Sequence, residues 1–253
     1  MSSSQCPDLR FDGHLGIVTL RRPAQANRLE LQDLRALEGH VERLAASPEV
    51  RVVLLQSEGS HFCSGFQIDA VPGVDAPALF ERLCDAWEGL PQVSIAALQG
   101  GVWGGATDLA LACDFRLGTS RCVMAIPAAR LGLHYHLNGM RRLMSRLGPG
   151  MAKRLLLAGE RVEAQAMLEA RFLDELYADE DSLRCGAIAW ATHIASLAPL
   201  AVAGMKQTLN ELAGDSLDLV RVRSAQSLCL QSEDLQEGVR AWRARRAPKF
   251  RGH

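Results

Sequence analysis

Four glycines fall within six residues, at Gly100, Gly101, Gly104 and Gly105, and an acid, Asp108, follows three residues after the last of them. The turn lies between an apolar run and an apolar segment that can form a helix. A helix start leaves backbone N–H groups without intrahelical acceptors, so these groups can hold an anion. The spacing matches neither a phosphate-binding P-loop nor a dinucleotide fingerprint. The turn therefore predicts an oxyanion site, in which each donor is worth roughly 3 kcal/mol in a transition state. The alternative is a tight turn that only packs a helix against a sheet.

A second amide donor has to come from another loop. The loop after the preceding apolar run is the natural source, and it contains Ser64, Gly65, Phe66, Gln67 and Ile68. Residues three apart share a helix face, so we expect Asp108 to look into the pocket that Gly105 lines. The other interpretation of Asp108 is an acid in the first turn of a helix, where it favours the helix dipole.

The elements that position this turn alternate between short apolar runs and amphipathic segments. Residues 16–20, 50–56 and 93–98 predict strands, and residues 29–46 and 77–90 predict helices. Helices of this length between short apolar strands are typical of right-handed crossovers in a mainly parallel sheet. The first half of the chain is therefore expected to be α/β.

The second half becomes almost wholly helical. Two short apolar runs at 115–117 and 122–126 precede an irregular tract at 130–139. The helices predicted after this tract cover residues 140–147, 151–158, 164–170, 181–197, 200–213, 217–231 and 235–246. We expect residues 1–195 to form an α/β core. Residues 196–253 have little sheet left to cover, so we expect a helical region that packs on another subunit.

Composition narrows the classes of partner. The net charge is −1 and aromatic residues make up 5% of the chain, which argues against a nucleic-acid surface or an anionic membrane. No apolar run approaches the roughly 18 residues that span a bilayer, and the N-terminus lacks the apolar core of a signal peptide. The seven cysteines are odd in number and irregular in spacing, which favours a reducing compartment. We expect a cytoplasmic protein without a membrane or nucleic-acid partner.

Three stretches carry a family resemblance: HFCSGFQID (61–69), SIAALQGGVWGGATDLALACDFRL (94–117) and LGPGMAKRLLLAGERVEAQAMLEARFLDEL (147–176). In this order and spacing they resemble the crotonase, or enoyl-CoA hydratase/isomerase, superfamily, from about residue 11 to the C-terminus. The resemblance implies a ββα spiral core with a C-terminal helical trimerisation region, and a trimer or a dimer of trimers. It also implies an acyl-CoA thioester as substrate with no separate cofactor. The thioester enolate would be held by the N–H groups of Phe66 and Gly105.

Hydratases of this superfamily add water with two glutamates. Their positions correspond here to Asp108 and Ala128. One acid is shortened and the other is absent, so the two-carboxylate mechanism is not expected.

The second half of the chain also resembles the methylmalonyl-CoA decarboxylases of the superfamily. The stretches that carry this likeness are 101–106, 131–135, 198–201, 232–238 and 248–253. It implies that Tyr135 hydrogen-bonds the carboxylate of the substrate, although a buried tyrosine with an ordinary partner is the alternative. The decarboxylases have a histidine where this chain has Phe66. His134 and His136 flank Tyr135, and alternation in an extended segment is expected to send both rings away from the tyrosine. No third ligand accompanies them at a sensible spacing, so no metal site is expected.

Three functions remain open: decarboxylation of a malonyl-type thioester, a one-base isomerase or hydratase variant that uses Asp108, and an acyl-CoA-binding scaffold without turnover. The residues expected to catalyse are Asp108, Tyr135, Gly105 and Phe66. Those expected to bind substrate are Arg28, Ser64, Gly65, Gln67, Ile68, Trp103, Gly104, Pro127, His134, Lys249 and Phe250. Among them Trp103 is expected to shape the acyl pocket, and Arg28, Lys249 and Phe250 to contact CoA, the last two across a subunit boundary.

Overall fold

A six-stranded sheet forms the centre of the molecule. The structure is a computed structural model that describes residues 5–66 and 75–253. The strands of the sheet, in spatial order, are β1 (Asp8–Asp12), β2 (Leu15–Leu20), β3 (Val52–Ser57), β4 (Val93–Leu98), β6 (Phe115–Thr119) and β9 (Glu175–Tyr177). Only the β1–β2 pair is antiparallel, and the other neighbours run parallel. The expected parallel sheet is confirmed.

A second, three-stranded sheet carries the glycine turn. Its strands are β5 (Gly101–Trp103), β7 (Val123–Ala125) and β8 (Val162–Glu163). β5 follows β4 after only two residues and pairs in parallel with β7. This change of sheet brings the turn from the C-terminal end of β4 to the neighbourhood of residues 125–128, where Gly104 N donates to the Ala125 carbonyl at 2.9 Å.

Helices cover both faces of the large sheet. Their bounds are α1 (Leu31–Ala45), α2 (Ala76–Glu88), α3 (Gly105–Ala112), α4 (Leu137–Leu156), α5 (Ala164–Glu169), α6 (Glu180–Ala195), α7 (Pro199–Ala213), α8 (Leu219–Gln231) and α9 (Glu233–Arg243). The fully buried strand β4 shows the two layers. Its Ala96 and Leu98 join the core that α1, α2 and α3 complete, and its Ile95 and Ala97 join the smaller core against α6. Such a strand has a nearly continuous apolar sequence, because both of its faces are covered.

Several elements differ from those predicted from the sequence. The two helices expected at 140–147 and 151–158 form one element, α4, with a break where Gly148 has φ 73° and ψ 169°. α4 also begins three residues earlier than expected, because the His136 side chain accepts the N–H of Gly139 and caps it. The strands β1, β5, β8 and β9 are short, and β1 is largely exposed, so no buried alternation marks it.

The last three helices leave a large apolar surface. Exposed side chains on α7, α8 and α9 include Met205, Leu209, Leu212, Val220, Leu228, Leu230, Leu235 and Trp242. α7 is nevertheless tied to the core, since Lys206 Nζ lies 2.7 Å from the Gln92 carbonyl and 2.7 Å from Asp114. The expected boundary at residue 195, between an α/β core and a helical region that packs on another subunit, stays a prediction. Among the described helices none is by itself long and apolar enough to cross a membrane, although α6 and α7 pass such a test as a pair bent by 106°.

Candidate active site

A cavity of about 210 Å³ lies where the glycine turn meets the loop of residues 64–66 and the segment of residues 126–136. Its described lining residues are Ser64, Gly65, Phe66, Pro77, Phe80, Gly104, Gly105, Ile126, Pro127, Ala128, Leu131, Leu133, His134, Tyr135 and His136. The wall is mostly apolar, with hydroxyl, imidazole and backbone groups as its polar members. Concave, mainly apolar sites with a few polar groups are typical of small-molecule binding.

Two backbone amides at this cavity have no acceptor in the part of the chain that the structure describes. α3 begins at Gly105, so the N–H of Gly105 has no intrahelical partner. Neither this N–H nor that of Phe66 has a hydrogen-bond acceptor within the described ranges. The two loops are held together by bonds from Cys63 N to the Gly101 carbonyl at 3.2 Å and from Trp103 N to the Cys63 carbonyl at 3.0 Å. Two free donors on the wall of an apolar cavity can stabilise an oxyanion.

Gly65 allows the two loops to approach. Its φ is 92°, and a Cβ built on it would lie 2.7 Å from the Trp103 carbonyl oxygen and 3.4 Å from Gly105 N. A side chain here would collide with the glycine turn and would also require a backbone conformation that L-residues disfavour. The juxtaposition of the Phe66 and Gly105 amides therefore depends on this glycine.

The structure corrects the expectation for Asp108. Its side chain is fully buried, and it is absent from the described wall of the cavity. Both carboxylate oxygens accept from Arg142, with Nε to Oδ1 and Nη2 to Oδ2 each at 2.7 Å. Asp108 does share a helix with Gly105. However, the short α3 is buried on nearly every side, so sharing a face with Gly105 does not bring its carboxylate into the cavity.

The other edge of the Arg142 guanidinium is also paired. Nη1 donates to Asp85 at 2.7 Å and to Glu88 at 3.2 Å, and the side chain is 1% exposed. Burial by itself lowers the pKa of Arg142, but the hydrogen bonds and the charge of Asp108 outweigh it, so the pKa is raised overall. Arg142 is therefore permanently charged, and Asp108 is its bidentate partner.

Tyr135 lies in the cavity wall and is 9% exposed. Its hydroxyl is 3.4 Å from the Gly104 carbonyl, to which it donates a long hydrogen bond. Burial, and then the negative charge of Asp108, raises the pKa of Tyr135 well above its usual range. The hydroxyl is therefore protonated at neutral pH and can donate a hydrogen bond.

The expectation that both flanking histidines turn away from Tyr135 is wrong for His136. The rings of Tyr135 and His136 stack with centroids 4.7 Å apart. His136 Nε2 lies 3.4 Å from Asp108 Oδ2 without forming a hydrogen bond, and Nδ1 accepts the N–H of Gly139 at 3.3 Å. Alternation fails because these residues are not in a strand. His134 lines the cavity, and its Nδ1 is 2.8 Å from the Tyr135 carbonyl oxygen.

Some of the other residues expected to bind substrate do lie at the cavity. Ser64, Gly65, Gly104 and Pro127 line the cavity with the residues above. Arg28 lies beside this group, because the next residue, Leu29, donates its N–H to the Gly65 carbonyl at 2.9 Å. Gln67 and Ile68 lie outside the described residues.

Three expected residues lie away from the cavity. The Trp103 indole packs over Gly101 and faces Arg161 at 5.8 Å, and it does not line the described wall. No residue of its strand, β5, is in that wall. Lys249 and Phe250 belong to the C-terminal tail, where the Phe250 carbonyl accepts from Arg51 at 2.7 Å. Within one chain this tail does not reach the cavity.

The sequence gives little sign of several residues that build the site. Phe80 lines the cavity and stacks on Phe66 with centroids 6.3 Å apart. Arg142, Asp85 and Glu88 resemble ordinary helix-surface charges in the sequence. One feature of the sequence could have pointed to a residue such as Arg142. Asp108 is an acid in the otherwise apolar helix α3, and a buried acid needs a cationic partner. At Ala128, the position of the second hydratase acid, the structure has only a buried methyl group in the wall.

The described residues contain no group of three or more His, Cys, Asp or Glu side chains that could hold a metal ion. Within residues 5–66 and 75–253, no carboxylate lines the cavity. The arrangement can hold an anion through two amides and one hydroxyl, and it provides an apolar surrounding.

Comparison with known proteins agrees with this geometry. The family model described as enoyl-CoA hydratase/isomerase matches residues 10–253. The chain is 29% identical to the (E)-benzylidenesuccinyl-CoA hydratase of Thauera aromatica, over 96% of this chain and 98% of that protein. It is 27% identical to the 2,3-dehydroadipyl-CoA hydratase of Escherichia coli, over 93% and 94% of the two chains.

Solved structures give the same result. The crystal structure of an enoyl-CoA hydratase from Bacillus anthracis superposes with a TM-score of 0.90 at 28% identity, covering 98% of this chain and all of that chain. These relatives are named as hydratases, so the finer resemblance to decarboxylases stays a prediction. Because the family model covers almost the whole chain and the α/β fold agrees, the chain belongs to the enoyl-CoA hydratase/isomerase family, the crotonase superfamily.

Proposed function

We propose that the chain holds the enolate of an acyl-CoA thioester and that its reaction is the decarboxylation of a malonyl- or methylmalonyl-type CoA. The observation that carries this proposal is a cavity with two amide donors that have no acceptor among the described residues, and with no carboxylate in its described wall. The thioester is the substrate, and the proposed reaction uses no separate cofactor.

Hydration and double-bond migration need a group that removes or delivers a proton at a fixed position. In hydratases of this family two glutamates do so. Here one corresponding side chain is the methyl group of Ala128, and the other, Asp108, has both oxygens on Arg142. Neither can take a proton from water held in the cavity.

Decarboxylation requires less of the protein. The bond between the α-carbon and the carboxylate breaks, CO2 leaves, and the electron pair becomes the enolate, whose oxygen accepts from the Phe66 and Gly105 amides. The Tyr135 hydroxyl donates to the carboxylate before it leaves. The apolar wall of the cavity favours loss of the substrate carboxylate, because neutral CO2 and a delocalised enolate replace a localised charge. The enolate carbon then takes a proton from Tyr135, which recovers one from solvent.

The surroundings of the cavity support a CoA ester and an assembly of several chains. Arg28 lies next to the loop that carries Phe66, because its neighbour Leu29 donates to the Gly65 carbonyl. We propose that the exposed apolar faces of α7, α8 and α9 pair with other copies in a trimer or a dimer of trimers, and that Lys249 and Phe250 reach CoA across that boundary. All seven cysteines are unpaired, which suits the cytoplasmic location that we propose.

The direct test is to incubate the protein with malonyl-CoA, methylmalonyl-CoA and crotonyl-CoA and to identify the products by mass. Loss of CO2 from one of the first two supports the proposal. Hydration or a double-bond shift without CO2 loss contradicts it and favours the one-base isomerase or hydratase variant. Binding of all three without turnover also contradicts it and favours the scaffold, which the same lack of a carboxylate supports.

One control addresses the segment 67–74. Asp69 is the only acid in its sequence. The variant Asp69→Asn should keep CO2 release within threefold of the wild type. A loss of more than tenfold would show that a carboxylate acts in the reaction after all.

A further inference from the structure

The Asp108–Arg142 pair lies in a buried charge cluster between three helices. Asp108 is on α3, Arg142 on α4, and Asp85 and Glu88 are on α2. The guanidinium is 1% exposed and the Asp108 carboxylate is fully buried. We call the two-bond contact between Asp108 and Arg142 the clamp. It is the point at which α3 and α4 are joined by charge.

Each half of the clamp belongs to a helix that starts in the cavity wall. α3 begins at Gly105, an oxyanion donor, and Asp108 follows within its first turn. α4 begins directly after His136, whose ring stacks on Tyr135, and Arg142 follows on the same helix. The clamp therefore connects the helix that starts with the amide donor to the helix that follows the hydroxyl donor.

His136 strengthens this connection. Its Nε2 lies 3.4 Å from Asp108 Oδ2, and its Nδ1 accepts from Gly139 on α4. The Asp108 carboxylate thus contacts both the guanidinium and the ring on which Tyr135 rests. A change in its position would shift the Tyr135 ring relative to Gly105.

We infer that Asp108 and Arg142 are positioning residues, which set the distance between the Gly105 amide and the Tyr135 hydroxyl, and that Asp108 carries no proton in the reaction. This inference rests on the proposed function, because the two donors are useful together only on an enolate or its precursor. Small displacements of this kind have large effects, and about 1 Å can cost roughly 100-fold in rate.

Two single variants probe the clamp. Asp108→Asn removes one charge, and Arg142→Lys keeps the charge but loses the two-bond geometry. We expect kcat for CO2 release to fall at least tenfold in Asp108→Asn and at least threefold in Arg142→Lys, with KM changed less than kcat. The pH profile of kcat should keep its shape in Arg142→Lys, because that variant keeps both charges of the clamp and removes no titrating catalytic group. If Asp108→Asn does not fold, Arg142→Lys remains a test of the geometry.

The decisive variant replaces both partners. Asp108→Leu with Arg142→Met puts apolar side chains of similar length in place of the clamp, and such replacement of a buried ion pair is often tolerated. Asp85 keeps Asn138 as a donor at 2.7 Å, and Glu88 keeps Arg141 at 2.7 Å. We expect this double variant to recover to within threefold of the wild-type kcat. A matched control is Asp174→Asn, which breaks a pair with the buried Arg116 away from the cavity wall and should leave kcat within threefold.

A spectroscopic readout separates positioning from simple loss of stability. Bound acetoacetyl-CoA is enolised when amide donors hold its oxygen, and the enolate absorbs more strongly in the ultraviolet than the keto form. The enolate band should weaken at least threefold in Asp108→Asn and return in the double variant, while Asp174→Asn keeps it.

Two results would overturn the inference. If the double variant folds and is as inactive as Asp108→Asn, Asp108 is a proton carrier. If Asp108→Asn matches the wild type in both kcat and the enolate band, the clamp has no role. By contrast, a wild type that neither turns over a malonyl-type thioester nor enolises acetoacetyl-CoA contradicts the proposed function itself.

Discussion

The rings of Tyr135 and His136 stack with an interplanar angle of 26° and centroids 4.7 Å apart, so consecutive residues form one aromatic unit in the cavity wall. Gly139 makes room for it, because a Cβ built there would lie 2.6 Å from His136 Cε1 and 2.7 Å from Tyr135 Cε1. The unit fixes the tyrosine ring, and only its hydroxyl remains to act on a substrate.

The variant Tyr135→Phe should therefore lose chemistry and keep structure. The stacked ring stays, and only a 3.4 Å hydrogen bond to Gly104 is lost. Proton transfer by a positioned side chain contributes about 100-fold or more, so we expect kcat for CO2 release to fall by that factor. The thermal unfolding midpoint should change by only a few degrees. A kcat within threefold of the wild type would show that Tyr135 is an ordinary buried tyrosine.

Phe80 should limit the length of the acyl group. It stacks on Phe66, and its Cζ lies 3.0 Å from the position of a Cβ built on Gly105, so it closes the cavity beside the oxyanion donor. Phe80→Leu should enlarge the cavity and raise the kcat/KM of butylmalonyl-CoA relative to malonyl-CoA at least fivefold. Competition assays with both thioesters would measure this ratio. An unchanged ratio would mean that Phe80 does not border the acyl group.

Buried thiols should make the protein less stable in alkali. Burial, and then the charge of Asp114, raises the pKa of Cys113 to about 12. In the unfolded chain a thiol ionises near pH ~8.5. The stabilising effect of the neutral thiol is complete below that pH and is lost as the pH rises toward the folded-state pKa. In this interval Cys113 should lower the free energy of unfolding by about 1.4 kcal/mol per pH unit.

Urea unfolding of Cys113→Ala between pH 8 and pH 11 would measure this contribution. The variant should show a shallower decline with pH than the wild type. The exposed Cys185 provides a control, since Cys185→Ala should decline as the wild type does. Parallel declines for Cys113→Ala and the wild type would contradict the prediction.

The exposed faces of α7, α8 and α9 should be covered in solution. Leu209 on α7 is 64% exposed and Leu230 on α8 is 73% exposed, and contiguous apolar surface of this kind marks an interaction site. Light scattering at micromolar concentration should give the mass of a trimer or a hexamer. Leu209→Glu should give a smaller species. Leu157→Glu, at a position 75% exposed at the end of α4, should keep the wild-type mass. A monomeric wild type would contradict the assembly.

Much of the fold follows from local patterns in the sequence. Strand β4 occupies the predicted residues 93–98, because both of its faces are buried and five of its six residues are apolar. The glycine turn is equally local, since four glycines before an apolar segment predict a tight turn at the start of a helix. Gly65, Gly104 and Gly105 accordingly lie in one wall.

The electrostatics of the site could not be predicted in the same way. Asp108 and Arg142 are 34 residues apart and meet only through the packing of α3 on α4. The orientation of His136 depends on its capping of α4, which alternation does not describe. Its place in the turn predicts that Trp103 lines the cavity, but in the short strand β5 its indole packs against Gly101. Contacts between distant elements, rather than residue types, decide which side chains face the substrate.

The clamp also has a consequence for how this active site can change by mutation. Restoring the missing acid with Ala128→Glu puts one carboxylate back into the wall, but Asp108 remains bound to Arg142. Hydration of crotonyl-CoA should therefore stay at the wild-type level in Ala128→Glu, as product analysis would show. A chain whose aspartate is bound by this arginine is therefore more than one substitution away from a two-acid hydratase.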